Sequence, residues 1–162
     1  MAYRLVNLAG RFNGLDSKVK FIKQCYTKSL TDLRVRRMAE IWAGRGSRLE
    51  QLATLYNNIK QYVPYLPDPV GCELTKAPSV ILKEVEDRGS SAGDCDDQAC
   101  LSYTLLKIIG IPAKVRVVWF DTIMPQHIYT LAFVAGRWIP FDTTSKKGMG
   151  YESPGISKVE DF

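Results

Sequence analysis

The sequence predicts an α+β fold, with N-terminal helices and a central helix packed on a small antiparallel sheet. Two observations carry this. In the first half apolar residues recur with a helical period: Val35, Met38, Ala39 and Trp42 fall at i, i+3, i+4 and i+7, and Leu49, Leu52, Tyr56, Ile59 and Val63 form a second stripe. The second half instead holds short runs rich in β-branched and aromatic residues, at 114–120, 127–134 and 137–142, broken by turn residues. With 162 residues, 46% of them apolar and 24% charged, the chain suits one globular domain with a full core.

Taken in order, residues 1–15 are weakly patterned, broken by Gly10 and Gly14, and read as a loose arm. Asp16 or Ser17 is a cap for a first helix reaching about Ser29, with Ile22, Cys25 and Tyr26 at helical spacing. Thr31 or Asp32 caps a second, stopped before Gly44. Ser47-Arg48-Leu49-Glu50 is a capping box, in which Ser47 and Glu50 satisfy each other's free amides, and it opens a third helix that ends before Pro64. Pro64, Pro67 and Pro69 force an extended connector through 65–71. Pro78 suits the first position of a short helix with Ile81, Leu82 and Val85 inward and Gly89 as its stop.

The central helix runs from Asp94 to about Ile109. Asp94 is a good N-cap, Gly110 suits the left-handed position after the last turn, and Pro112 bars continuation. Cys95 then sits in the first turn, where the helix dipole favours thiolate over thiol. Asp94, Asp96 and Asp97 oppose this by like-charge repulsion. The backbone N–H of Cys95 is the expected oxyanion donor; no second donor can be named from the sequence. Beyond the helix, residues 114–120 read as a strand with Val115, Val117 and Trp119 on one face. Trp119 and Trp138 are placed in the core.

His127 is the only histidine. If Ala135 and Gly136 form a two-residue turn, Val134 pairs with Arg137, Tyr129 with Asp142 and His127 with Thr144, so His127 and Asp142 are diagonal neighbours on one sheet face. A one-residue slip would turn one strand over and separate them.

Gly-x-Cys-x-x-x-Ala at 93–99, Ile109-Gly110-Ile111-Pro112-Ala113, His127 two residues before an aromatic, and Trp138 four residues before Asp142 with Thr144 after it occur in an order and spacing that resembles the transglutaminase-like superfamily. The resemblance covers residues 49–144. It implies a papain-like core and a cysteine-histidine-aspartate triad that maps onto Cys95, His127 and Asp142. It also implies a thiol enzyme acting on an amide in a peptide or protein, through an acyl-enzyme, as peptidase or amidase in preference to amine transfer. Tyr129 stands where many members have Trp, a departure that bears on the substrate groove and leaves the triad intact. On this reading residues 1–48 form a basic helical segment, 49–144 the core and 145–162 a loop-rich tail, all within a single domain. The helical lead-in and compact core are also similar to small phage and prophage proteins of this kind, which gives an alternative: a virion structural or morphogenesis role, with phage structural proteins as partners and catalysis absent or incidental.

Charge and cysteine usage narrow the classes. Residues 1–50 carry 11 Lys/Arg against 4 Asp/Glu and the remainder 11 against 13, so the net +5 belongs to the N-terminal third. Those basic residues are scattered except for Arg34, Arg36 and Arg37, the pattern of a solvated face more than of a nucleic-acid site. Of the four cysteines, Cys25 and Cys100 lie in apolar helical patterns and read as reduced core residues. No Cys-x-x-Cys pair or calcium-loop spacing is present, and Asp94, Asp96 and Asp97 at a helix start are expected to point in different directions, so no metal and no cofactor is implied. Residues 1–15 lack a secretory h-region and no run is long enough to span a membrane, so the expectation is a soluble, cytoplasmic protein with no membrane partner.

Overall fold

The structure is a computed structural model, and it describes residues 4–5, 13–69 and 74–162. A short strand β1 (Arg4–Leu5) precedes helices α1 (Asn13–Ser29), α2 (Leu33–Ala43) and α3 (Arg48–Tyr62). After an extended connector come β2 (Leu74–Thr75), α4 (Pro78–Arg88) and α5 (Cys95–Ile108). Strands β3 (Ala113–Trp119), β4 (His127–Val134), β5 (Arg137–Phe141) and β6 (Lys158–Asp161) complete the chain. The four-stranded sheet has the order β5-β4-β3-β6, all neighbours antiparallel, and β1 pairs with β2 as a separate ribbon. The α+β class and the helix-on-sheet arrangement are as the sequence predicts.

Local chemistry explains the helix ends. Asp32 caps α2 by accepting from Arg34 and Val35 N–H, and the Ser47/Glu50 capping box of α3 is formed in both directions. Pro78 opens α4 and Gly89, at φ 82°, closes it in the left-handed region that glycine enters without strain. Helix α5 is buried along nearly its whole length because it lies between the sheet and the other helices. On one side Leu101, Leu105 and Leu106 pack with α2, α3, α4 and Phe141; on another Ala99, Cys100 and Tyr103 pack with Val19, Ile22 and Cys25 of α1 and with Val115, Val117 and Trp119 of β3. Truncating one of these buried leucines to Ala costs about 2–5 kcal/mol.

Several expectations are corrected. Helix α1 begins at Asn13, ahead of the Asp16 or Ser17 cap, and the short β1 lies inside the segment read as a loose arm; the remaining residues of that segment, Gly10 among them, lie outside the described residues, as do Gly71 and Cys72. The tail read as loop-rich carries β6, which pairs with β3, while Ile156 packs against Val118, Tyr129 and Leu131 on the outer face of the sheet. Arg116 binds Asp161 and Glu152 together, so an alternation that looks exposed in sequence is covered by charge pairing with the tail. Leu49, the first residue of its stripe, is exposed. Trp138 is not in the core: it is 38% exposed and stacks under the Lys114 ammonium, 4.7 Å from the ring centre, because alternation on β5 turns it outward between Arg137 and Ile139. Cys25 and Cys100 are buried and free, their thiols in hydrogen-bond contact.

Candidate functional site

Cys95 is the first residue of α5. Asp94 caps the helix, its Oδ1 accepting from the Asp96 and Asp97 amides at 3.2 and 3.4 Å. The lead-in is held by the connector: Leu66 N–H donates to Gly93 O at 3.0 Å and Gly93 N–H to Pro64 O at 3.3 Å, forming a parallel bridge between Tyr65 and Gly93. Gly93 is needed there, because a Cβ would lie 2.6 Å from the Asp97 side chain.

The partner side chains come from the hairpin. Ala135 and Gly136 take positive φ angles of 53° and 78°, the backbone twist of a two-residue hairpin turn, and the register runs from Val134 opposite Arg137 to Thr130 opposite Phe141. This register carries His127 and Asp142 to the same corner, with His127 Nε2 2.7 Å from Asp142 Oδ2. The second oxygen of Asp142 accepts from Thr144 N–H at 3.0 Å and from its hydroxyl at 2.6 Å. Burial raises the affinity of this carboxyl for a proton, but the bonds from His127 and Thr144 outweigh it and hold Asp142 below the usual carboxylate range. An ionised Asp142 only accepts, so His127 Nε2 donates and Nδ1 is the nitrogen left with a lone pair.

Cys95 lies near the same strand, close enough to Ile128, one residue past His127, for that backbone N–H to draw its thiol pKa down. Of the two opposing influences read in the sequence, the helix dipole and the neighbouring acids, the acids and burial outweigh the dipole. Burial, followed by the charges of Asp94 and Asp96, pushes the thiol up to about 12, and the opposing pull of Lys18 and the Ile128 N–H is weaker. The acids also converge where divergence was expected: one side-chain ligand atom each from Asp94, Cys95 and Asp96 lies within 4.8 Å of the other two. Asp97 turns the other way and accepts from Lys76 N–H. Lys18 Nζ lies 3.3 Å from Asp96 Oδ2, which also takes the Thr75 hydroxyl, so the positive charge facing this group is a lysine. Asp94 is pushed up to about 9, by burial first and then by its hydrogen bond to Asp96; it therefore keeps a proton at neutral pH, while Asp96 is held ionised.

The sequence pattern of the transglutaminase-like superfamily matches residues 36–143, two thirds of the chain. The chain belongs to this superfamily. Two solved structures share the fold of this transglutaminase-like chain. One is a proposed protease from Parabacteroides distasonis, 16% identical, with a TM-score of 0.64 over 90% of this chain and 29% of the other. The second is a proposed cysteine protease from Cytophaga hutchinsonii, 17% identical, with a TM-score of 0.52 over 99% of this chain and 60% of the other. The chain thus spans less than two thirds of either relative. No curated protein sequence matches it. None of these findings bears on a phage or virion relationship, and that alternative gains no support from them. Among the described residues, no helix is long and apolar enough to cross a membrane.

Sequence reasoning missed the residues that hold the site. Tyr56 and Lys60 of α3 reach the backbone of Asp142 and Thr143 at 3.0 and 3.3 Å, contacts more than 80 residues apart in sequence. Tyr65 in the connector is 54% exposed, and its phenol is pushed up by burial and then by Cys95 and Asp94 beside it. The Tyr65–Gly93 bridge could not be read from residue types; the proline spacing around Tyr65 was the only signal.

Proposed function

We propose that this protein is a thiol-dependent amide-bond enzyme in which Cys95 is the nucleophile, His127 the base and Asp142 the group that orients it. The observation that carries this is the 2.7 Å contact between His127 Nε2 and Asp142 Oδ2, which leaves Nδ1 to act as the proton acceptor on the strand whose next residue, Ile128, neighbours Cys95. The raised thiol pKa fits a mechanism in which His127 takes the proton as the sulfur attacks the amide carbon. The C–N bond then breaks, the imidazolium protonates the leaving amine, and the Cys95 thioester is resolved by water or by a second amine. Cys95 is the first residue of α5, so its N–H has no intrahelical acceptor and on this reading serves the oxyanion. Superfamily membership and the protease names of the two fold relatives support a peptide or protein substrate.

The test is incubation with a diverse peptide mixture, with and without a dansylated primary amine, read by mass spectrometry. Cys95-dependent cleavage, or Cys95-dependent amine incorporation, is the expected result, and which of the two dominates separates hydrolysis from transfer. Identical product profiles from wild type and Cys95→Ala would overturn the proposal.

A further inference from the structure

Gln98 lies one turn beyond Cys95 on α5 and is 1% exposed. All three partners of its amide are defined. Nε2 donates to Val63 O at 3.1 Å and to Gly93 O at 3.4 Å, which turns Oε1 to the Thr143 hydroxyl, donating at 2.6 Å. Each partner belongs to a different segment of the site: Val63 ends α3 and starts the connector, Gly93 lies two residues before Cys95, and Thr143 follows Asp142.

Asp142 is positioned in an unusual way for a residue beside a sheet. Strand β5 stops at Phe141, so the 142–145 segment lies beyond the paired register. On one side α3 grips its backbone, through the Tyr56 hydroxyl to Asp142 O at 3.0 Å and the Lys60 ammonium to Thr143 O at 3.3 Å. On the other, its one hydrogen bond to α5 is Thr143 to Gln98. A Leu at 98 would fill the space as well but would leave the Val63 and Gly93 carbonyls and the Thr143 hydroxyl without that partner. The side chain therefore does something packing alone does not require: it ties the helix bearing the nucleophile to the segment bearing the orienting carboxylate.

We propose that Gln98 and Thr143 are a positioning pair, fixing the Cys95 helix relative to the His127–Asp142 contact. The inference rests on the triad reading above. Neither residue touches the reacting atoms. Their effect is on the approach of base to sulfur, where a displacement of about 1 Å costs on the order of 100-fold in rate.

The experiment is the rate of Cys95 alkylation by iodoacetamide from pH 6 to 10, by peptide mapping, with Tm measured in parallel. Thr143→Val keeps the shape and removes the hydroxyl; it is expected to slow labelling at pH 7 about tenfold and to shift the profile toward that of His127→Ala. Thr143→Ser restores the hydroxyl and is expected to recover to within about twofold of wild type. Gln98→Met reads the same link from the other end, should either threonine variant fold poorly. Thr104→Val, the same change at a buried threonine elsewhere on α5 whose hydroxyl has no partner among the described residues, should label as wild type. If His127→Ala is slow while Thr143→Val and Gln98→Met keep the wild-type profile, the positioning pair is refuted and the triad stands. Thr143→Ser as slow as Thr143→Val also refutes it. If His127→Ala itself labels as wild type, the triad reading and this inference fall together.

Discussion

The two halves of the site are built on opposite principles. On the hairpin side both carboxylate oxygens and the carbonyl of Asp142 have partners, His127 on one oxygen, the Thr144 amide and hydroxyl on the other, and the Tyr56 hydroxyl on the carbonyl. On the helix side the groups are in conflict: the Asp94 and Asp96 carboxyls crowd a half-buried thiol, Asp96 Oδ1 has no hydrogen-bond partner among the described residues, and protonation of Asp94 relieves the repulsion. The difference teaches where the reactivity resides. A helix N-terminus alone does not make a thiolate when burial and two carboxyls oppose it, so the ability to activate Cys95 is concentrated in the hairpin.

Removing the hairpin's base should therefore have the largest effect. His127→Ala is expected to slow iodoacetamide labelling of Cys95 at pH 7 by about 10²-fold, within the range of general-base contributions. Its rate should keep climbing past pH 9, as the thiol's own ionisation takes over. A wild-type profile equally steep and equally slow at pH 7 would show that His127 does not assist the sulfur. Asp142→Asn should come next, at about tenfold or more. The Asn amide, with its oxygen kept on Thr144, turns an N–H toward His127 Nε2; the ring then carries its proton on Nδ1 and has no lone pair left for the thiol. Asp142→Asn labelling as fast as wild type would sink the orienting role.

How far the sequence could be read follows the same division. The hairpin was legible because Ala135-Gly136 sets one register, and that register alone brings His127 to Asp142. Helix α5 was legible for a similar local reason, its Asp94 cap and Gly110 stop. The charge state of Cys95 was not, because it depends on burial by α1 and the sheet and on how Asp94 and Asp96 rotate, none of which is encoded in neighbouring residues. Gln98 was hidden for the same reason, since a polar residue on a helix reads as surface until the segment that covers it is known; Tyr56 was read as part of the apolar stripe of α3, and what stayed hidden was its hydroxyl's reach to Asp142 O. The one strand within the loop-rich tail was not legible because β6 is held in place by its pairing with β3 and by Arg116, both long-range.

The entry to the helix offers a structural break of intermediate size. Gly93→Ala puts a Cβ 2.6 Å from Asp97 Cβ and 3.0 Å from its Cγ, and Asp97 cannot swing away without releasing the Lys76 amide. Overpacking of this kind costs about 1–3 kcal/mol, or about 2–4 °C in Tm per kcal/mol for a chain of this size. The same shift of the lead-in should slow Cys95 labelling, whereas an alanine with unchanged Tm would show that the first turn is looser than its contacts indicate.

The smallest expected effect at neutral pH is also the sharpest probe of the conflict on the helix side. Asp94 has a folded pKa of about 9 against an ordinary value of 3.8. Between these values the folded state holds a proton that the unfolded state has released, so stability falls as pH rises through that window and levels off above it. Asp97, raised to about 7 by burial, has the same sign, whereas the contributions of Asp96 and Asp142, both lowered, are lost only as pH falls below the ordinary carboxylate value of 3.8. Asp94→Asn copies the protonated acid: its oxygen can still cap the Asp96 and Asp97 amides, and its N–H can still donate to Asp96. The variant should match wild type in Cys95 labelling at pH 7. Its Tm relative to wild type should rise steadily from about pH 5 to pH 9, since the variant has no proton to release in the window where the wild type loses its own. A Tm difference that stays flat across that range would mean that Asp94 ionises normally, and that the negative charge facing Cys95 at neutral pH is larger than one shared proton allows.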